Sequence, residues 1–396
     1  MYIHDLNCSW MDHPFARNRL KIEDSDALNK ARGTGVKELY IDTALGLDVK
    51  EEGNDLTVEA APVAAEETED PSCEPSAFIP TIIAKLSPVE EFERAKTIYS
   101  DANLLIQGMM KDIRLGKHVE MEQCSPMVDN IMDSMFRMPS ALLPLAQMKT
   151  ADEYTFQHSV SVAALAVAFG RVLNLPRKEI KELSLGGLLH DVGKAKIPGR
   201  ILNKAGKLDE TEFAVMKSHA ANTAELLKGT TGISEVTFKA AAQHHERYDG
   251  TGYPLGLKGD EISIHGQMLA IVDVYDAITS IRVYHRGMPP PEALRKMFQW
   301  CGTHFNTSLM QAFIKGIGIY PAGSLVRMES DRLGIVREIA PDNLLQPIVQ
   351  VIYDCARSCH LDPETIDLSA SNDKIKSHES FETWGINQAK WVAARA

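Results

Sequence analysis

Pro176-Arg177-Lys178-Glu179-Ile180-Lys181-Glu182-Leu183-Ser184-Leu185-Gly186-Gly187-Leu188-Leu189-His190-Asp191-Val192-Gly193-Lys194 reads as a helix that starts behind a proline and runs directly into an adjacent histidine and aspartate. A second stretch, His244-His245-Glu246-Arg247-Tyr248-Asp249-Gly250-Thr251-Gly252-Tyr253-Pro254, ends another helix on paired imidazoles, and His219 lies between the two. Imidazole combined with carboxylate suits a transition metal. The pattern therefore predicts a helical domain built round a metal centre that acts on phosphate esters.

Working outward, Phe156–Leu173 is so densely apolar that it predicts a helix buried on most sides, and it carries His158. Asp209-x-x-Glu212 has the form of a capping box at the start of the helix that bears His219. In Ala270-Ile271-Val272-Asp273 a carboxylate interrupts an apolar run, which is costly unless the charge is paired or bound to metal. Taken singly, His158 reads as a core histidine, Asp273 as a partner for an arginine, His219 as uninformative and His244-His245 as a solvated helix end. Their coincidence in one domain favours the metal. Asp191 has the chemistry to bridge two cations while His190 caps one, and Gly193 permits a tight turn beside them.

Further helices are expected at Glu90–Leu115, Ser125–Met138 with Pro126 in its first turn, Ile233–His245, Gln267–Thr279, Glu292–Gly302 and Ser308–Ile317. Residues 1–48 read as a small α+β unit, with strands near Met1–Leu6, Phe15–Ile22 and Glu38–Asp42 and a helix at Asp26–Arg32. Residues 49–77 are an acidic linker, 78–148 a helical connector, 149–320 the catalytic domain, and 321–396 a small β appendage with a tail. In that last part, strands are expected at Ser324–Glu329, Arg332–Ile339 and Gln346–Asp354, followed by a polar tail over 360–396 with a short terminal helix. The fold class is thus mainly α, a helical bundle with a small α+β N-terminal domain and a short β appendage near the C-terminus.

With 44% hydrophobic and 24% charged residues, the 396-residue chain has a globular composition. The net charge of −12 argues against nucleic acid as a partner. Nine acidic residues and no basic one fall in 51–77, so much of that acidity belongs to a tether. No apolar run is long enough to span a bilayer, and Met1-Tyr2-Ile3-His4-Asp5 does not resemble a secretion signal, so a cytoplasmic protein is expected. Six scattered cysteines fit a reducing compartment, and Cys355 and Cys359 read as helical packing and not as a redox pair.

The chain resembles the HD-GYP group of the HD phosphohydrolases. The matching residues are His190-Asp191-x-Gly193-Lys194-x-x-Ile197-Pro198, Leu202-x-Lys204-x-Gly206-x-Leu208, Met216-Lys217-x-His219, the run His244 to Pro254, and Asp273-x-x-Asp276-Ala277. This resemblance implies an HD-type bundle and metal ligands at His158, His190, Asp191, His219, His244, His245 and Asp273, with Asp191 bridging two iron or manganese ions. Members with a third metal carry a Glu one helical turn before the first histidine. Tyr154 stands there, with Glu153 beside it, so two metals are expected.

The implied reaction is hydrolysis of a cyclic dinucleotide, cyclic di-GMP to pGpG and onward to GMP, or 3′3′-cyclic GMP-AMP, by metal-activated hydroxide. Asp191 and Lys194 are the implied catalytic residues, and Lys194, Arg282, His285, Gly252, Tyr253 and Pro254 the implied substrate contacts. His285 departs from the lysine usual in the family. Glu246, Asp249 and Asp276 are candidates for orienting the ligand imidazoles. The Gly-Tyr-Pro loop is an expected dock for diguanylate cyclase domains, and a homodimer is expected. The alternative function is a non-catalytic dinucleotide receptor or cyclase-binding module. The N-terminal unit resembles the small, regulatory domain found ahead of many HD-GYP domains.

Overall fold

Ser87 starts the long first helix of the bundle by a reciprocal cap: its Oγ accepts the Glu90 amide and Glu90 Oε2 accepts the Ser87 amide at 2.8 Å. The computed structural model describes residues 2–5, 20–21, 40–41, 87–147, 154–204, 206–280, 287–340 and 343–387. Contacts divide the chain into two units, Met1–Ile79 and Pro80–Ala396. In the first, strands β1 (Tyr2–Asp5), β2 (Leu20–Lys21) and β3 (Tyr40–Ile41) form an antiparallel sheet in the order β2-β1-β3. The expected helix at Asp26–Arg32 and the acidic linker lie outside the described residues.

The second unit opens with α1 (Pro88–Arg114), α2 (Met121–Arg137) and α3 (Pro139–Gln147). Helix α2 begins a turn before the expected Ser125, and Pro126 sits inside it and not in its first turn. Its ring removes one amide donor near the helix start, while buried Cys124, Val128, Ile131 and Met135 hold the helix to the bundle. At its end, Arg137 reaches the buried Glu91 carboxylate with two nitrogens, at 2.5 and 3.2 Å, and ties α2 to α1. Helix α3 was not expected from the pattern, because it is short and contains two prolines.

Helix α4 (Tyr154–Val172) is the centre of the core, with Val160, Val162, Ala163, Ala164, Ala166 and Val167 all fully buried. Helix α5 (Arg177–Leu189) has the expected bounds and lies against α4. Its close approach depends on two glycines. A Cβ on Gly187 would stand 3.2 Å from the Ala163 backbone, and one on Gly186 would stand 2.7 Å from the Ala240 side chain. These contacts draw the end of α5, and so His190, into the middle of the bundle. Helices α6 (Gly199–Leu202), α7 (Glu210–Lys228), α8 (Glu235–Gln243), α9 (Ile264–Thr279), α10 (Pro290–Gln299) and α11 (Thr307–Ile317) complete it. The predicted capping box at Asp209 and Glu212 is formed, with both backbone-to-carboxylate bonds at 2.9 Å.

The C-terminal sheet is larger than expected. Strands β4 (Leu325–Met328), β5 (Arg332–Glu338) and β6 (Ile348–Asp354) match the expected positions, but β7 (Cys359–Asp367) and β8 (Ile375–Glu379) occupy what was expected to be a polar tail. The five strands are antiparallel in the order β7-β6-β5-β4-β8. Val326, Val336, Val349 and Val351 pack in one hydrophobic cluster and Leu325, Leu333, Ile335 and Ile352 in another. Edge strand β7 has little buried surface, so its sequence lacks an apolar alternation to betray it. Cys355 lies in the turn before β7 and Cys359 at the strand's start, which replaces the helical packing expected for the pair. The terminal helix expected near the end was not found through residue 387, and 388–396 lie outside the described residues. No helix among the described residues is long and apolar enough to cross a membrane.

Candidate metal centre

Five helices deliver the predicted ligand residues to one place: α4 brings His158, the end of α5 brings His190 and Asp191, α7 brings His219, the end of α8 brings His244 and His245, and α9 brings Asp273. All but His245 are buried, and its side chain is 23% exposed. Three groups place their ligand atoms within 4.8 Å of one another: His158 with His190 and Asp273, His190 with Asp191 and His244, and His219 with His244 and His245.

The protonation of the imidazoles follows from their partners. His190, His219 and His244 each direct Nδ1 at the carbonyl three residues earlier, Gly187, Met216 and Ala241, at 2.7 Å. A carbonyl oxygen only accepts, so Nδ1 carries the proton and Nε2 presents a lone pair to the cluster. His158 is fixed from further away: its Nδ1 lies 2.5 Å from Asp276 Oδ2. The Nε2 atoms of His158 and His190 then converge at 3.3 Å, and those of His219 and His245 at 3.1 Å. In each pair the Nε2 lone pair of His190 or His219 meets a second imidazole nitrogen, a position that either a shared proton or a cation can fill. His244 Nε2 and Asp191 Oδ1 are buried without a hydrogen-bond partner, a costly state for polar atoms that ligation removes. The donor set fits divalent transition metals.

Two carboxylates span the cluster. Asp191 Oδ2 is 3.3 Å from His190 Nε2, and its Oδ1 is 3.3 Å from His219 Nε2. Asp273 Oδ1 is 2.9 Å from His158 Nε2, and its Oδ2 is 3.7 Å from His245 Nδ1. Burial opposes ionisation of both, but His190 and Lys194 hold Asp191 well below the usual carboxylate range, and the hydrogen bond from His158 lowers Asp273. Burial lowers His219, takes His244 well below the ordinary imidazole value, and brings His245 down to about 3. Anionic carboxylates and, at His219, His244 and His245, imidazoles kept neutral are the ligand forms metals require.

Surrounding groups hold this arrangement, and several were missed in the sequence. Thr223 Oγ1 donates to the His190 carbonyl at 2.9 Å and accepts the Gly193 amide at 3.0 Å, bolting the end of α5 to α7. Gly193 is needed for this approach and not for a left-handed turn, since a Cβ there would lie 2.1 Å from the His219 carbonyl. Asp276 orients His158 as expected. Glu246 does not orient an imidazole: its carboxylate accepts the amides of Leu255 at 2.7 Å and Leu257 at 3.0 Å and so fastens the Gly-Tyr-Pro loop. Asp249 likewise caps Thr251 within that loop. Gly250 has φ 85°, whereas Gly252 is required by close approach, a Cβ there falling 2.3 Å from the Arg247 amide.

Lys194 is half-buried, with Nζ 2.5 Å from Asp191 Oδ2. The Tyr253 ring stands 4.7 Å from that of His245, and Pro254 follows it on the same loop. Arg282 and His285 lie outside the described residues, as do Glu153 and the Tyr154 side chain.

The HD domain family matches residues 140–309, which contain every one of these ligand residues, and a domain of unknown function, DUF3391, matches 1–124. A cyclic di-GMP phosphodiesterase of Pseudomonas aeruginosa is 41% identical over 98% of this chain and 91% of its own length. The chain belongs to the HD-GYP family of cyclic dinucleotide phosphodiesterases. Among other members, a 3′3′-cGAMP-specific phosphodiesterase of Vibrio cholerae is 38% identical over 40% of this chain and 37% of its own. A solved HDG"Y"P protein from Bdellovibrio bacteriovorus aligns with a TM-score of 0.46 at 19% identity, covering 56% of this chain and 71% of that one.

Proposed function

We propose that this HD-GYP phosphodiesterase is metal-dependent and opens cyclic di-GMP to linear pGpG. The observation that carries the reading is the pair of buried carboxylates, Asp191 and Asp273, each turning one oxygen to each side of an imidazole cluster whose ring nitrogens converge. His158, His190, Asp191, His219, His244, His245 and Asp273 would hold two divalent cations, iron or manganese. When bound, such a pair supplies Lewis acidity toward phosphoryl oxygen and lowers the pKa of water. Near-complete coverage by a relative named for cyclic di-GMP favours that substrate over 3′3′-cyclic GMP-AMP.

In the reaction, a water oxygen joins phosphorus, the P–O3′ bond breaks, and the 3′ oxygen leaves as a hydroxyl, so the product keeps a 5′-phosphate. Lys194, the cation nearest Asp191, is placed to donate to a phosphoryl oxygen as negative charge gathers there. Arg282 and His285 are proposed as further phosphate contacts, and the Gly252-Tyr253-Pro254 loop as one wall of the site. The buried helices α4, α5 and α9 exclude bulk water from the far side.

The test is a substrate panel, cyclic di-GMP, 3′3′-cyclic GMP-AMP and pGpG, given to full-length protein reconstituted with Fe²⁺ or Mn²⁺ under reducing conditions. Linearisation of cyclic di-GMP is expected. Asp191→Ala is expected to lower turnover by roughly 10³-fold or more, because it removes the carboxylate shared by both sides. Tight binding of the dinucleotide without turnover would replace the enzyme reading with that of a receptor.

A further inference from the structure

Helix α7 turns His219 into the metal centre and presents Phe213 and Lys217, one turn apart, on its outer side. Phe213 is 50% exposed. Lys217 Nζ lies 5.2 Å from the centroid of the Phe213 ring and 5.8 Å from that of Tyr253, and no carboxylate among the described residues pairs with it. Tyr253 in turn lies against His245, the most exposed of the ligand imidazoles. Two ring faces thus steady a half-buried ammonium without neutralising it, at the open side of a centre that handles phosphate. Lys217 therefore links Phe213 on its own helix to Tyr253 on the Gly-Tyr-Pro loop.

A cyclic dinucleotide has two phosphodiesters, and when one is at the metal centre the other must be held elsewhere. We propose that Phe213, Lys217 and Tyr253 form a second subsite, in which Lys217 binds the phosphate that does not react and the exposed face of Phe213 stacks a purine. This subsite rests on the cyclic dinucleotide reading above. It supplies binding energy remote from the reacting phosphorus, so its effect falls on KM for the full substrate.

The experiment compares metal-loaded wild type with Lys217→Met, Lys217→Arg and Phe213→Ala on cyclic di-GMP and on bis(p-nitrophenyl) phosphate, which has a single phosphate and no purine. For Lys217→Met the ratio of kcat/KM values, cyclic di-GMP over the small diester, is expected to fall by about ten-fold through KM, as for loss of a charged hydrogen bond. Lys217→Arg should recover most of that loss, and Phe213→Ala should lower the ratio roughly five-fold or more if a base stacks there. An unchanged ratio overturns the subsite. Equal losses on both substrates also overturn it, since Lys217 would then act only by holding Tyr253 and its loop. Should the wild type cleave neither substrate, the reaction reading fails by itself, and equilibrium binding of cyclic di-GMP with Mn²⁺ present still decides the subsite. About ten-fold weaker binding by Lys217→Met supports it, and equal affinity overturns it.

Discussion

The two sides of the imidazole cluster are built from different materials. On one side, His158, His190 and Asp273 are all buried, and Asp276 stands behind His158 as a fourth, anionic layer. On the other, His219, His244 and His245 supply imidazole only, and His245 opens toward Tyr253 and the solvent. The closed side is enclosed by three helices, α4, α5 and α9, and its His158 ring is held by the buried Asp276 carboxylate. The open side is bounded by a loop whose Leu255 and Leu257 amides donate to Glu246. The difference teaches that similar side chains acquire different surroundings by burial: one side is enclosed by protein, the other borders the Gly-Tyr-Pro loop and solvent.

The comparison breaks most severely at Asp276. Asp276→Ala removes the partner of His158 Nδ1, and the affinity for one metal is expected to fall about 10–100-fold while the other is kept. Metal content after dialysis checks this, and equal loss of both metals would mean that the two sides do not act separately.

Proton competition sharpens the contrast at a smaller scale. Burial disfavours a charged His190, but the Asp191 carboxylate outweighs it and leaves the imidazole pKa raised. A proton on its Nε2 occupies the lone pair a metal needs. Metal affinity on the closed side is therefore complete above that raised pKa and falls by up to about ten-fold per pH unit beneath it. On the open side, His219, His244 and His245 are depressed chiefly by burial and keep their lone pairs through the same range. Mn²⁺ titrations across pH should show one metal more acid-sensitive than the other; two identical profiles would contradict the asymmetry.

Thr223→Val probes the seam between the sides and has the smallest expected effect. It removes the link from α7 to the His190 carbonyl and the Gly193 amide, costing about 1 kcal/mol in folding stability. A lowered Tm with two metals still bound is the expected result. Loss of metal at unchanged Tm would place Thr223 in the ligand sphere instead.

The candidate ligand residues were legible in the sequence because their surroundings make them conspicuous. His158 and Asp273 sit in runs of apolar residues where an ionisable group is expensive, and His190-Asp191 ends a helix marked at its start by Pro176. Helix α5 was placed without error for the same reason: a proline begins it and the apolar spacing runs to its end. Pro126 misled because a proline usually marks a helix start, whereas packing of Cys124 and Val128 carried α2 a turn further back. Strands β7 and β8 were invisible because exposed edges have no apolar alternation, and β6 and β4 supply the pairing that forms them.

The sequence alone determined the mainly α class, the capped and proline-started helices, and the set of side chains capable of holding metal, since these follow from local periodicity and residue chemistry. Tertiary structure decided which carbonyl fixes each imidazole, which carboxylate spans the cluster, that Glu246 serves the loop and that Lys217 stands between two rings. Those properties depend on groups brought together from distant parts of the chain, where close approach at Gly186, Gly187, Gly193 and Gly252 sets the geometry and burial sets the charge.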